Sequence, residues 1–262
     1  MIIELYHAEG SVCAQKVRLV LFEKQISWVD RRVNLQRAEQ TTPEYLKLNP
    51  RGVVPTLVVD GRPVRESTVI CEFIEDLSPE PPLRPTDPFA KATMRRWAKM
   101  PDEGIHLACS AVSHAGLLGH RYRHNTEAYK TRLDKHPDRV RAERAWRIVS
   151  DGFRDPEVQN AVFKHKKLLE EMEQTLTVAP WLAGDMYSLA DSGITPYVFR
   201  LEQLGLKGMW EDKPQVADWL ARIKARSSFQ EAILGYRAEF EDFADPNLLE
   251  DDWRQVRALI EL

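Results

Sequence analysis

Apolar and polar positions alternate in two different rhythms along the 262 residues of this chain. Over the first 77 or so, short strand-like runs trade places with helical spacings. Ile2–His7 reads as a strand. In Cys13–Lys24, Val17, Val20, Leu21 and Lys24 fall at helical spacing, and Leu19 and Phe22 widen the apolar face. Ser27–Leu35 alternates as a second strand, and Pro43–Leu48 is a short helix. Asp60-Gly61 marks a tight turn between Thr56–Val59 and Arg62–Val64. Ser67–Leu77 follows as an apolar helix. The order β-α-β-α-β-β-α contains one parallel crossover and one hairpin, which predicts a mixed four-stranded sheet.

Residues 78–88, SPEPPLRPTDP, hold five prolines and can be neither helix nor central strand. They read as an interdomain linker. Beyond them the spacing is helical to the end: Phe89–His114 as one long segment, then Val158–Thr177, Leu189–Leu204, Pro214–Arg226 and Ser228–Phe240. Ser188 and Asp191 form a short variant of a capping box, with the Ser188 hydroxyl expected to accept from the Asp191 amide and the carboxylate reaching back. A catalytic Ser/Asp pair is the alternative there, and the cap is the better reading. The domains predicted are 1–77, the linker 78–88, and an all-helical 89–262.

The formal net charge of −3 gives no global attraction to nucleic acid. Cys13, Cys71 and Cys109 are too few and too scattered for a disulfide framework. With an N-terminus lacking signal-peptide character, they favour a reducing compartment and a cytoplasmic location. No apolar run reaches the length of a membrane span, so no membrane partner is expected.

The stretch 49–74, NPRGVVPTLVVDGRPVRESTVICEFI, combines a Val-Pro bend, a hairpin, and Glu66-Ser67 immediately before a helix. Such a layout can hold a short peptide by its backbone and grip its charged end. Taken with the Pro-rich linker, the helical second half and the later GDMYSLAD, it resembles the cytosolic glutathione transferases over nearly the whole chain. Within them, PRGVVPTL, DGRPVRESTVICEFIED and LRPTDPFAKATMRRWAK look most like the bacterial glutathione-dependent β-etherases, which cleave β-aryl ethers of lignin-derived aromatics.

The resemblance implies a thioredoxin-like N-terminal domain, glutathione as co-substrate and a homodimer. The second substrate would be small and hydrophobic, most readily aromatic. Ser11 matches the family's Ser/Cys position and would donate its hydroxyl to the glutathione sulfur; read from the residues alone, it is also a good cap for the first helix. Cys13, at the first helical turn, and Tyr6, at the end of strand one, are the other candidates for activating the thiol. The Val54 backbone would pair with the cysteinyl part of the peptide, with Pro55 cis. Glu66 would face the γ-glutamyl ammonium, and Ser67, at a helix N-terminus, would hold the γ-glutamyl carboxylate. Arg51 and Lys47 are candidates for the glycyl carboxylate. The expected reaction is attack of the glutathione thiolate on an electrophile, with aryloxide displaced from a β-aryl ether. A Cys13-dependent thiol transferase or lyase, and a glutathione-binding protein without turnover, stay open beside it.

The acceptor substrate is less legible. Trp97, Met100, Ile105, His106 and Leu107 lie in the segment where the resemblance places its walls, though helical spacing alone makes them core. His106, Cys109, His114, His120 and His124 match no standard zinc spacing, so no metal is expected. Around 116–155 the chain carries extra length for this family. Between Arg121 and Arg147, nine Lys/Arg stand against four Asp/Glu, with Tyr122, Tyr129 and Trp146 interleaved. A lid, a nucleic-acid patch and a solvated helical excursion are the readings of that insertion. The acidic tail Glu239–Asp252, with seven carboxylates, is a candidate to neutralise it.

Overall fold

The computed structural model of the chain describes residues 1–123, 126–134, 138–236 and 245–261. By its contacts the chain divides into two compact units. The first comprises Met1–Lys99, Ala179–Pro196 and Trp219–Ala238; the second comprises Met100–Val178, Tyr197–Asp218 and Glu239–Leu262.

The first unit is built on the mixed sheet expected. Strands β1 (Ile3–His7), β2 (Val29–Arg32), β3 (Thr56–Val59) and β4 (Arg62–Val64) lie in the order β2-β1-β3-β4. β1 runs parallel to β2 and antiparallel to β3, and β3 and β4 form the hairpin. Asp60 and Gly61 both take positive φ (46° and 78°), the backbone a two-residue turn between right-twisted strands requires. β2 is shorter than the alternation over Ser27–Leu35 predicts. Its register partner β1 ends at His7, opposite Arg32, so the ladder stops there.

Helices α1 (Val12–Glu23), α2 (Pro43–Leu48) and α3 (Ser67–Leu77) complete this part, and α4 (Pro88–Lys99) follows. Leu5, Val17, Leu21, Leu57, Ile70 and Ile74 are sealed between sheet and helices. The burial of β1 alternates, with Ile3, Leu5 and His7 inward and Glu4 and Tyr6 on the other face.

The linker is neither helix nor strand, and it is pinned. Lys24, the last-turn cap of α1, is buried; its Nζ donates to the Pro79 and Pro81 carbonyls at 3.1 and 2.6 Å and pairs with Glu75. The Glu75 carboxylate accepts the Leu83 amide at 3.2 Å. A cation and an anion that water would otherwise keep apart are spent on holding carbonyls and an amide that proline leaves without helical partners.

The later part of the first unit carries the start of α10 (Leu189–Gln203), the end of α11 (Pro214–Lys224) and the short α12 (Ser227–Phe229). Asp191 is fully buried and accepts four hydrogen bonds: from the Leu182 and Ser188 amides (3.1 and 3.0 Å), the Ser188 hydroxyl (3.1 Å) and the Trp219 indole (2.9 Å). The reciprocal cap exists, but the Ser188 hydroxyl accepts from Ala190 at 3.2 Å, one residue earlier than expected. Ser227–Phe229 continues only as a single wide turn to Leu234; the end of the predicted helix, 237–240, lies outside the described residues.

The second unit begins at Met100, and the segment 89–114 is not one helix. After α4, the turn Pro101–Ile105 is π-helical with Gly104 at φ 136°, and α5 (His106–Ser113) starts afresh. Pro101 has no amide to continue the ladder, and Gly104 takes the backbone where other residues are strained. A second wide turn, His114–Leu118, leads into α6 (Gly119–Arg123), α7 (Thr126–Asp134) and α8 (Arg139–Asp151). α9 (Pro156–Val178), the end of α10, the start of α11 and α13 (Pro246–Ile260) complete this unit. The insertion therefore folds into helices. Its aromatics stack, Tyr122 on Tyr129 at 4.3 Å and Tyr129 on Trp146 at 6.4 Å between centroids. Arg144 pairs with Glu157, and Arg147 with Glu157 and Asp155, all within ion-pair distance, so part of the basic excess is neutralised at the start of α9. Residues 239–244 of the acidic tail lie outside the described residues. Of its remainder, Asp252 is buried against His120, 2.8 Å away.

Candidate active site

The loop 8–11 joins β1 to α1 and ends on Ser11, the N-cap of α1. The Ser11 Oγ accepts the Ala14 amide at 3.3 Å. Capping uses the oxygen as an acceptor and leaves the hydroxyl hydrogen for donation, so the cap and a bond to sulfur are compatible. Cys13 is half-exposed on the first turn, and Cys71 and Cys109 are buried; none is in a disulfide. Tyr6 lies on the sheet face away from Leu5 and His7 and meets Tyr45 of α2 edge-on at 6.2 Å. His7, on the opposite face, is the one bonded to α1, so Tyr6 points away from the helix that carries Ser11.

Arg18 holds this loop in place, a role the sequence did not suggest. Fully buried on α1, it donates to the Glu9 carbonyl (Nη2, 2.9 Å), the Ala8 carbonyl (Nη1, 3.4 Å) and the Ala232 carbonyl (Nε, 2.7 Å). Its Nη1 also donates to His7 Nδ1 at 2.9 Å, which fixes the proton of His7 on Nε2, facing Asp30 at 2.7 Å. Burial, reinforced by the Arg18 charge, holds the His7 pKa down at about 4 against the pull of Asp30. The imidazole is therefore neutral at neutral pH. Burial also lowers Arg18, to about 10, which leaves it charged. The Tyr236 ring covers the guanidinium at 4.2 Å.

The second half of the site is the bend before β3. Val54-Pro55 is cis, and Pro55 is buried. The Tyr45 hydroxyl and the Asn49 amide both donate to the Val53 carbonyl, at 2.7 and 2.9 Å, and both meet the Thr56 hydroxyl. The carbonyl of Val53 is thereby satisfied, whereas the amide and carbonyl of Val54 make no hydrogen bond to any described residue. Buried backbone groups are as a rule paired, so an open pair beside a strand is a place for a peptide backbone.

Seven residues beyond the strand, Glu66 sits at φ 65°, ψ 114°, a conformation L residues avoid, and starts α3. Its carboxylate pairs with Arg51, so two of the residues expected around a peptide's charged ends are brought together at the surface. Ser67 is only 7% exposed, yet neither its hydroxyl nor its amide is used by a described residue. Both belong to the first turn of a helix, where free amides and the helix dipole favour an anion. Lys47 is exposed on α2 without an ion-pair partner among the described residues. Ser11, Val54 and Ser67 thus each retain unused hydrogen-bonding capacity. Glu66 and Arg51 are occupied by one another.

Of the residues expected to wall the acceptor, Trp97 and Ile105 are buried, while Leu107 is 64% exposed. Among the described residues no cluster of three or more His, Cys, Asp or Glu is arranged to hold a metal ion; His124 lies outside them. No helix among the described residues is long and apolar enough to cross a membrane.

Two family profiles match this chain: the N-terminal domain of glutathione S-transferase over residues 10–77, and its C-terminal domain over 138–227. The chain belongs to the glutathione S-transferase family, and glutathione is its co-substrate. It is similar to Protein LigF of Sphingobium sp. (strain NBRC 103272 / SYK-6), 32% identical over 240 residues that cover 88% of this chain and 93% of that protein. The tetrachloro-p-hydroquinone reductive dehalogenase of Sphingobium chlorophenolicum is 29% identical over 243 residues, covering 88% and 95%. Among solved structures, the β-etherase LigF from Sphingobium sp. strain SYK-6 aligns with a TM-score of 0.75 at 30% identity, over 90% of this chain and all of that one. Glutathione transferase F7 of Populus trichocarpa shares the fold, with a TM-score of 0.72 at 24% identity over 90% of this chain and 100% of that one.

Proposed function

We propose that the chain uses glutathione to cleave an aryl ether or a comparable aromatic electrophile by nucleophilic displacement. Ser11 donates to the glutathione sulfur and holds it as thiolate. The Val54 backbone pairs with the cysteinyl residue, and Ser67 takes the γ-glutamyl carboxylate. The sulfur lone pair forms a bond to the β carbon as the carbon–oxygen bond breaks. The electron pair leaves on the aryloxide oxygen, which then takes a proton from water. A free thiol ionises near ~8.5, so a hydrogen bond and the nearby start of α1 have about 3 kcal/mol to supply if the thiolate is to dominate at neutral pH. A charge-assisted hydrogen bond and a helix N-terminus are of that size together.

The observation that carries this reading is the open backbone of Val54, together with an α1 cap that has a hydroxyl hydrogen to give and an unused Ser67. The likeness to LigF supports the aryl ether as substrate class. The half-exposed Cys13, two residues past Ser11, together with the likeness to a reductive dehalogenase, favours a second reading in which a cysteine thiolate takes glutathione off a conjugate. Purified protein assayed with glutathione and, separately, an aryl halide, a β-aryl ether ketone and a glutathione mixed disulfide separates them. Aryloxide release from the ether supports the proposal. Turnover of the disulfide alone, abolished in Cys13→Ala, replaces it with the second. Tight glutathione binding with no turnover of any of the three leaves a binding protein.

The protein is also read as a homodimer. Val69 on α3 and Phe89 at the start of α4 are 55% and 86% exposed, apolar surface that the described residues leave uncovered. Phe89→Asp is expected to halve the mass seen by light scattering at micromolar concentration. A wild-type protein that already scatters as a monomer rules the dimer out.

A further inference from the structure

Helix α1 buries three cations, and two are accounted for. Lys24 has Glu75 and two carbonyls; Arg18 has three carbonyls and His7. Lys16 differs from both. It is 2% exposed, and its Nζ donates to the Thr68 hydroxyl at 2.8 Å. No carboxylate lies within ion-pair distance of it among the described residues. Gly193 of α10 packs beside the stem, where a Cβ would make an ordinary contact 3.9 Å from Lys16 Cδ.

An ammonium withdrawn from water costs several kcal/mol, and one neutral hydroxyl does not return that. A methionine would fill the same space without the cost. The charge is placed where it has an electrostatic consequence. Thr68 is the second residue of α3 and neighbours Ser67, whose amide and hydroxyl are unused. The closest carboxylate in sequence, Glu66, is engaged by Arg51 at the surface. Two positive sources, the buried ammonium and the helix N-terminus, therefore meet at the first turn of α3, and among the described residues no carboxylate pairs with that ammonium.

We propose that Lys16 is a glutathione-binding residue, supplying the buried positive charge that, with Ser67, selects the γ-glutamyl carboxylate. This rests on the reading that Ser67 receives that carboxylate. It makes the free protein less stable than it would otherwise be, and returns the difference when the anion arrives.

The test is calorimetric titration of the full-length protein with two peptides: glutathione, and 4-aminobutyryl-cysteinylglycine, which keeps the ammonium but lacks the γ-glutamyl carboxylate. Wild type is expected to bind the second at least ~10-fold more weakly. Lys16→Met weakens glutathione at least ~10-fold but the decarboxy peptide by less than ~2-fold, and Lys16→Arg stays within ~3-fold of wild type for both. Ligand-free Lys16→Met melts no lower than wild type, because a desolvated charge has been removed. Equal weakening of both peptides, or a lowered melting temperature without ligand, assigns Lys16 to structure and overturns the proposal. If wild type binds both peptides equally, the Ser67 reading itself has failed. If wild type discriminates and Lys16→Met discriminates as well, only the role of Lys16 has failed.

Discussion

Ser11→Gly is expected to keep the fold and lose roughly tenfold to a hundredfold in kcat/KM for glutathione with an aryl electrophile. The size follows from removing one hydrogen bond to a charged atom, about 1.5–3 kcal/mol. Glycine is the informative replacement because Ser11 has two duties. As the N-cap of α1 it accepts the Ala14 amide, and alanine there costs about 1 kcal/mol of stability, whereas glycine costs a few tenths. Ser11→Ala and Ser11→Gly should therefore lose activity alike and differ in stability. If Ser11→Gly turns over as wild type while Ser11→Ala is merely less stable, the residue is a cap and the thiol is activated elsewhere. Cys13→Ala measured beside them shows whether that place is Cys13.

Asp191→Ala should have the larger effect on stability, at least ~4 kcal/mol, seen as a lowered urea midpoint. Burial pushes this carboxyl above the ordinary carboxylate value, and the Trp219, Leu182 and Ser188 donors pull it back. Removing it strands those donors in a fully buried place, each at about 1–3 kcal/mol. Against a total stability of about 5–15 kcal/mol, a loss of ~4 kcal/mol removes between roughly a quarter and most of what holds the fold. A midpoint within experimental error of wild type would mean the network is incidental to folding. Ser188→Ala, which removes one donor and the cap to Ala190, should cost about 1–2 kcal/mol by the same argument.

Local chemistry was legible where the residues leave the backbone little choice. Asp60-Gly61 marks the hairpin because only such residues take two positive φ values in succession, and both strands end where the turn requires. α3 runs over Ser67–Leu77 as its apolar spacing and polar start predict. The break at Pro101–Ile105 was written in Pro101 and Gly104, but the apolar periodicity on either side masks it. The extent of β2 was not legible, since it depends on where a partner strand stops.

The site divides in the same way. Val54-Pro55 and Glu66-Ser67 stand out because their types are unusual in those contexts. Arg18 and Lys16 do not. On a helix of alternating charge and apolar residues, Lys and Arg read as solvent-facing. Only the packing of α3, α10 and the turn Gln230–Leu234 around α1 makes them buried. Tyr45 and Asn49, which satisfy Val53 and leave Val54 open, are equally invisible until α2 is placed beside the bend. The acceptor side was the least legible, because apolar residues on a helix look the same whether they pack a core or line a pocket.

The claim on which the rest depends is that this chain turns glutathione into a nucleophile at neutral pH. The direct measurement is the ultraviolet absorbance of the thiolate in the protein saturated with glutathione, followed against pH. The account predicts that the bound thiol ionises near ~6.5, well below the ~8.5 of a free thiol, and that Ser11→Gly moves it back toward the free value with glutathione still bound. A bound thiol that titrates near ~8.5 in the wild-type protein would contradict it.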